Sequence, residues 1–310
     1  MSLIRKTKDK AKNFSRKIWE ISQRIGLDIL PQHYYSNLPN LKELKKEKEW
    51  LKPHSMYGIN GIEITKQLAF ASRCCTRKYL QDRMKNQNIY FNACSINKAE
   101  GFGPIEADFL FCFIFTKKPK RIIQIGCGVS TAVILEASSL ANYKPRIICI
   151  EPYPNKFLKN AVMQHKITLL AKKVQKVPLK IIANLEEGDL LFIDSTHMVK
   201  PGSEVALIIT EILPRLQRGV YIHFHDITFP YDYPRHLLNK DLFFPNESIM
   251  LHAFLINNPN FTIKTSLSML HYTRQPEMKK MLPNYKPGSD EFGLEKTQGH
   301  YPSSIFLQVT

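Results

Sequence analysis

Four short groups of residues carry the side chains and glycines that could do chemistry. The first is Gly126-Cys-Gly-Val-Ser-Thr131, two glycines one residue apart with two hydroxyls behind them. The second is Glu151, twenty-five residues after Gly126 and followed at once by Pro152. The third is Asp194-Ser-Thr-His197, and the fourth is His223-Phe-His-Asp226. Glycine lets a backbone turn sharply and approach a ligand with no Cβ in between. An acid at that distance can accept a pair of ribose hydroxyls. Groups one and two together therefore describe a site for a nucleoside-bearing cofactor. Asp194, His197, His225 and Asp226 can orient an acceptor, hold a cation or take a proton. A lone strand-end Asp is ordinarily a cap or a loop hydrogen-bond acceptor, but four acids and imidazoles at neighbouring tips point to a site. His223 lies on the same side of its strand as His225 and reads as a core histidine.

The elements that must position these groups alternate regularly. Arg121–Ile125 is an apolar run that breaks into the glycine turn, and an apolar helical pattern from Ala132 follows. Arg146–Ile150 leads to Glu151, a helix covers Asn155–Gln164, and Val174–Val177 reads as a short third strand carrying Gln175. Asp189–Asp194 is the fourth strand, Glu204–Leu216 a helix, Gly219–His225 the fifth strand and Ser248–Asn257 a helix. Phe261–Ser266 and Ser304–Val309 complete an antiparallel pair. Strands alternating with helices predict a doubly wound α/β sheet with ligands at the carboxyl ends of its strands.

Before Gly101 the pattern changes, and residues 1–100 read as a helical, basic extension ahead of a catalytic domain over 101–310. The formal charge of +17 is concentrated there. Residues 1–50 hold 12 Lys/Arg against 6 Asp/Glu and residues 51–120 hold 11 against 5, whereas the remaining 190 hold 21 against 16. Phe14, Ile18, Ile21 and Ile25 recur at helical spacing, with Lys10, Lys12, Arg16, Lys17 and Arg24 largely on other faces and Trp19 near the stripe. Such a helix over residues 1–28 either packs on its own domain or lies on an anionic membrane surface. No recognised nucleic-acid motif accompanies the positive charge, so no nucleic-acid partner is expected. The six cysteines form no Cys-x-x-Cys or zinc spacing and read as reduced thiols of a cytoplasmic protein. The longest apolar run, Phe109–Phe115, is too short to span a bilayer, and the N-terminus lacks a secretory signal. A cytoplasmic protein, peripheral at the membrane if the first helix binds there, is the expectation.

The choice of cofactor turns on Thr131. The dinucleotide fingerprint has a third glycine at that place, and the hydroxyls of Ser130 and Thr131 suit the polar amino-acid end of S-adenosylmethionine instead. The series IQIGCGVST, ICIEPYP, GDLLFIDSTHMVKPGSEV, LPRLQRGVYIHFHDITFPYDYP and IFLQV resembles the class I S-adenosylmethionine-dependent methyltransferases. It is most similar to a bacterial branch with FIDSSH and HxHDI type signatures. The resemblance spans about Gly103–Thr310, and Gln32–Leu38 with Tyr90–Asn92 is similar to the helical extension of the same branch. It implies a Rossmann-like seven-stranded sheet with a reversed last hairpin. It also implies that Gly126, Gly128 and Ser130 hold the methionine end, Glu151 the ribose and Gln175 the adenine side.

Related metal-dependent O-methyltransferases place carboxylates where Asp194 and Asp226 stand. Their Asp-Asn pair is Asp226-Ile227 here, so no metal ligand is assigned. A divalent ion stays open, with His197 or His225 supplying the missing ligand and favouring a softer metal than magnesium. The expected reaction is methyl transfer to an oxygen, less readily a nitrogen, of a small molecule or glycan. His225 or His197 would be the base, and Asp194 and Asp226 would orient the acceptor. The alternatives are an NAD-dependent oxidoreductase and a non-catalytic basic protein bound at a membrane surface.

Overall fold

The computed structural model describes residues 3–36, 38–233, 243–287 and 302–310, with side chains from Lys12 onward. The chain divides into two compact units, Met1–Glu49 and Trp50–Thr310. In the first, helix α1 spans Leu3–Arg24 and α2 Leu41–Lys46, the latter capped by Asn40, whose side chain accepts from the Lys42 and Glu43 amides. The end of α1 is tied back on itself. The Trp19 indole N–H and the Gln23 amide both donate to Asp28 Oδ1, at 3.1 and 2.9 Å. Met1 and Ser2, at the start of the expected amphipathic helix, lie outside the described residues.

In the second unit, helices α3 (Ile64–Cys75), α4 (Lys78–Asn86), α5 (Ile89–Asn97) and α6 (Pro104–Lys117) precede the sheet. The strands are β1 Arg121–Ile125, β2 Arg146–Ile150, β3 Thr168–Leu170, β4 Leu190–Ile193, β5 Tyr221–Phe224, β6 Phe261–Ser266 and β7 Ile305–Val309. Between them lie α7 (Val129–Leu140), α8 (Lys156–Met163), α9 (Leu179–Ala183), α10 (Glu204–Leu207), α11 (Glu247–Leu255), α12 (Leu267–Thr273) and α13 (Gln275–Met281). Among the described residues the sheet has seven strands in the order β3-β2-β1-β4-β5-β7-β6. β1 to β5 pair in parallel, and β7 runs antiparallel to both β5 and β6. This is the Rossmann-like sheet with a reversed last hairpin that the sequence implied.

Both faces of the sheet are covered. Ile122, Leu190 and Phe192 point into one apolar core and Ile123, Ile125, Leu191 and Ile193 into the other, the two-residue alternation of a strand. Near-continuous apolar strands follow from being buried on both faces. The Phe109–Phe115 run belongs to α6, which is buried all round from Ile105 to Ile114 and packs against α3, α5 and α7. A helix apolar on every side is a core helix. No helix among the described residues is long and apolar enough to cross a membrane.

Several elements differ from expectation. Residue 100 lies inside the second unit, because α3, α5 and α6 pack on one another and on the helices and strands of the sheet. The third strand is Thr168–Leu170, not Val174–Val177, and Val174–Lys176 forms a single 3-10 turn. Val174 and Val177 are both buried, and a spacing of three brings two side chains to one side of such a turn. Within the expected helical extension, α3 and α4 are separated by a break at Thr76-Arg77. The one expected over Glu204–Leu216 starts as α10, widens to a π turn over Ile208–Ile212 and ends in a 3-10 turn.

Candidate active site at the strand tips

The carboxyl ends of β1, β2, β4 and β5 are laced together before any side chain is considered. The Gly126 amide donates to the Ile150 carbonyl at 3.1 Å, that of Asp194 to Ile125 at 2.9 Å and that of His225 to Ile193 at 3.0 Å. Each strand thus delivers its next residue beside its neighbour's. Gly126 has φ +84°, and a Cβ there would overlap the Asp194 carbonyl. The approach of the β4 tip is itself enough to require glycine. At Gly128, which precedes α7, a Cβ would meet only the Asn97 side chain, at 3.4 Å. The Gly128 amide donates to Thr131 Oγ1 at 3.2 Å, so the threonine in the third fingerprint position closes the turn.

The other cofactor-site candidates are placed as follows. Glu151 accepts from the Cys127 amide at 3.3 Å and from the Tyr153 amide at 2.9 Å, which fixes its carboxylate against the glycine turn. Ser130 is buried, and its Oγ accepts from Gln124 Nε2 at 3.2 Å. Gln175 is exposed on its 3-10 turn and donates to the Gly202 carbonyl at 2.8 Å, linking the loops after β3 and β4. Gly126, Gly128 and Glu151 are therefore gathered in one place, and Ser130 and Gln175 each have a protein partner.

Asp194, His197, His225 and Asp226 do converge. His197 Nε2 lies 3.5 Å from both Asp194 Oδ1 and Asp226 Oδ2. His225 Nδ1 lies 3.4 Å from Asp194 Oδ1 and 3.5 Å from Asp226 Oδ1. Two carboxylates and two imidazoles thus alternate around a common centre. Both His197 and Asp226 hold left-handed backbone, φ 59° and 55°. Such conformations cost energy outside glycine and cluster at functional sites.

Four further residues complete the arrangement. Glu247, at the start of α11 and 1% exposed, places Oε2 2.8 Å from His197 Nδ1. The His197 carbonyl accepts from the Asn246 and Glu247 amides, so ring and backbone are both held by α11. Ser303 donates from Oγ to Asp226 Oδ1 at 2.9 Å and from its amide to Glu106 Oε1 at 2.6 Å. Phe102 covers His225, ring centroids 4.9 Å apart. Sequence reading missed all of these. The only signal was an acid in or beside an apolar helical segment, Glu106 within one and Glu247 immediately before another. His223 is fully buried, stacked on Phe192 at 4.3 Å and bonded to Ser304 Oγ at 2.9 Å, a core residue.

Electrostatics follow from this packing. Burial opposes the charge on His225, but Asp226 and Asp194 outweigh it and push its pKa up to about 9. Burial likewise opposes protonation of His197, and Asp194 and Glu247 hold it well above its ordinary value. Asp194 is half-buried, and although desolvation opposes its charge the two imidazoles keep its carboxyl below the ordinary range. Burial raises Glu106 to about 7 and also raises Glu247. Both imidazoles are therefore held toward their protonated forms by the carboxylates beside them. Exchange of those protons for an acceptor's proton, or for a cation, is the chemistry it can do.

A methyltransferase domain family matches residues 123–227, a span that runs from β1 through Asp226. An uncharacterized protein of Archaeoglobus fulgidus is 27% identical over 173 residues, covering 54% of this chain and 78% of that protein. Among solved structures, the SAH-bound methyltransferase PaMTH1 of Podospora anserina aligns at 14% identity and TM-score 0.43, over 76% of this chain and 97% of that one. The plantazolicin methyltransferase BamL, in complex with SAH and a triazolic desmethylPZN analog, aligns at 12% identity and TM-score 0.40, over 80% and 99%. No residue role passes from these structures to this chain. The stretch similar to a methyltransferase domain family, residues 123–227, thus lies on the seven-stranded Rossmann-like sheet and contains the glycine turn and all four strand-tip residues.

Proposed function

We propose that the chain transfers a methyl group from S-adenosylmethionine to an oxygen of a small molecule or glycan. The observation that carries this reading is the convergence of Asp194, His197, His225 and Asp226 at the tips of β4 and β5, beside the Gly126–Gly128 turn and Glu151. The turn and Glu151 bind the cofactor. Asp194 and Asp226 orient the acceptor hydroxyl, and His225 in its neutral form takes the hydroxyl proton as the oxygen–methyl bond forms and the methyl–sulfur bond breaks, releasing S-adenosylhomocysteine. His197, fixed by Glu247, holds the two carboxylates in register. Because the sulfonium is an activated donor, placing the hydroxyl in line with it supplies most of the acceleration.

The same donor set fits a divalent cation. One atom each of Asp194, His197 and His225 lies within 4.8 Å of the others, and His225 Nδ1 is buried without a hydrogen-bond partner. Asp194, His197, His225 and Asp226 would hold such an ion, and its chemistry would be to lower the pKa of the acceptor hydroxyl. Activity unchanged in EDTA leaves proton removal to His225. Activity lost in EDTA and restored by a cation gives it to the ion. The N-terminal unit, with its exposed apolar residues and cations, binds an anionic membrane surface in this reading, bringing the enzyme to membrane-associated acceptors.

Calorimetry with S-adenosylhomocysteine and NAD side by side tests the cofactor. Saturable binding of S-adenosylhomocysteine alone supports methyl transfer, and binding of NAD alone overturns it.

A further inference from the structure

Three side chains that the strand-tip chemistry does not use meet beside the loop that leaves β5. His54 Nε2 lies 2.6 Å from Asp232 Oδ2, and His252 Nδ1 lies 3.6 Å from Asp232 Oδ1. The two imidazole rings meet edge to face with centroids 5.3 Å apart. One ligand atom from each of the three residues lies within 4.8 Å of the other two. The backbone builds this meeting. The His54 amide donates to the Pro230 carbonyl at 2.8 Å, Thr228 Oγ1 donates to the Tyr231 carbonyl at 2.8 Å, and the Phe229 ring packs on His252 at 5.6 Å.

We propose that His54, Asp232 and His252 bind a divalent metal ion, distinct from any held at the strand tips. Two imidazole nitrogens and one carboxylate oxygen form a mixed donor set that suits zinc, cobalt, nickel or ferrous iron better than magnesium or calcium, which favour oxygen. His54 is exposed while Asp232 and His252 are partly buried. An ion there would have three protein ligands on one side and water on the other. Its role is structural. Asp232 lies six residues beyond Asp226 on the same loop, and His252 lies on α11, which also carries Glu247. A bound ion would tie the loop and the helix to the segment before α3, bracing both supports of the catalytic cluster. This inference does not depend on methyl transfer.

The test is zinc titration of the full-length, chelator-treated protein, read by bound metal after desalting and by melting temperature. Wild type, His54→Ala, His252→Gln and Asp226→Asn are compared. Zinc should raise the melting temperature of wild type and of Asp226→Asn, as any ligand of the folded state must. His54→Ala and His252→Gln should each bind one equivalent less and lose that rise. If either folded variant keeps the full stoichiometry and the full rise, or if wild type retains no zinc, the site does not exist. Should His252→Gln fail to fold, the exposed His54→Ala decides alone.

Discussion

Gly126 and Gly128 look alike in sequence but answer to different demands. At Gly126 a side chain would run into the Asp194 backbone from a left-handed conformation, so Gly126→Ala should destabilise the fold by about 3 kcal/mol or more. At Gly128 the nearest obstacle is the end of the Asn97 side chain. Gly128→Val should therefore keep a cooperative melt while losing S-adenosylhomocysteine binding. Normal binding by the Gly128 variant would move the cofactor away from this turn. A second prediction concerns the proton. If His225 is the base, it must be neutral, and its pKa stands near 9 because Asp226 and Asp194 outweigh burial. Rate should then rise with pH through about 9. Removing the charge with Asp226→Asn should move that rise down by about one pH unit or more, while affinity for S-adenosylhomocysteine changes little. A rise that stays in place in the variant would take the proton away from His225. Of the residues in the cluster, Asp194, His225 and Asp226 were legible because they stand at the ends of apolar strands, and His197 because it lies three residues beyond Asp194. Glu106, Glu247 and Ser303 were not, since each reaches the site from another element and only the fold brings it there.

At the scale of elements, the strands that carry chemistry were legible because each ends abruptly in Gly, Glu or Asp. β3 was not. It is a three-residue edge strand without such an ending, and the more apolar Val174 and Val177 drew attention to a turn instead. Helix α6 shows how an apolar element hides its exceptions. Asp108 is 1% exposed there, accepting from Asn284 Nδ2 at 2.8 Å. Burial raises its pKa to about 7, against 3.8 for the ordinary carboxyl. The folded state thus keeps a proton that the unfolded chain gives up, so the stabilising contribution is full below about pH 4 and is lost as pH rises to about 7. Asp108→Asn removes this titration while leaving an amide oxygen for Asn284. Its melting temperature relative to wild type should be higher at pH 8 than at pH 5. An offset that is the same at both pH values would mean that Asp108 does not titrate in this window.

At the scale of the whole molecule, the chain joins a more nearly balanced sheet-bearing part to a strongly basic beginning. Composition made that asymmetry visible, and the 12 cations in residues 1–50 have only 6 acids to meet them. One of those acids, Glu20, is taken by Arg16 at 2.7 Å. Phe14 and Ile21, on one stripe of α1, are exposed, as are Ile25, Leu27, Ile29 and Leu30 just beyond it. Exposed apolar residues beside Lys12, Lys17 and Arg24 are the composition of an interfacial helix. Each cation near an anionic surface contributes about 1 kcal/mol. A few such contacts added to the apolar insertion give reversible attachment that salt should weaken. Co-sedimentation with vesicles measures this directly. Full-length protein should pellet with vesicles containing phosphatidylserine but not with neutral ones, and should be released as ionic strength rises. Deleting residues 1–28 should abolish pelleting while leaving S-adenosylhomocysteine binding in place. If the truncated and full-length proteins pellet equally, residues 1–28 are not a membrane anchor.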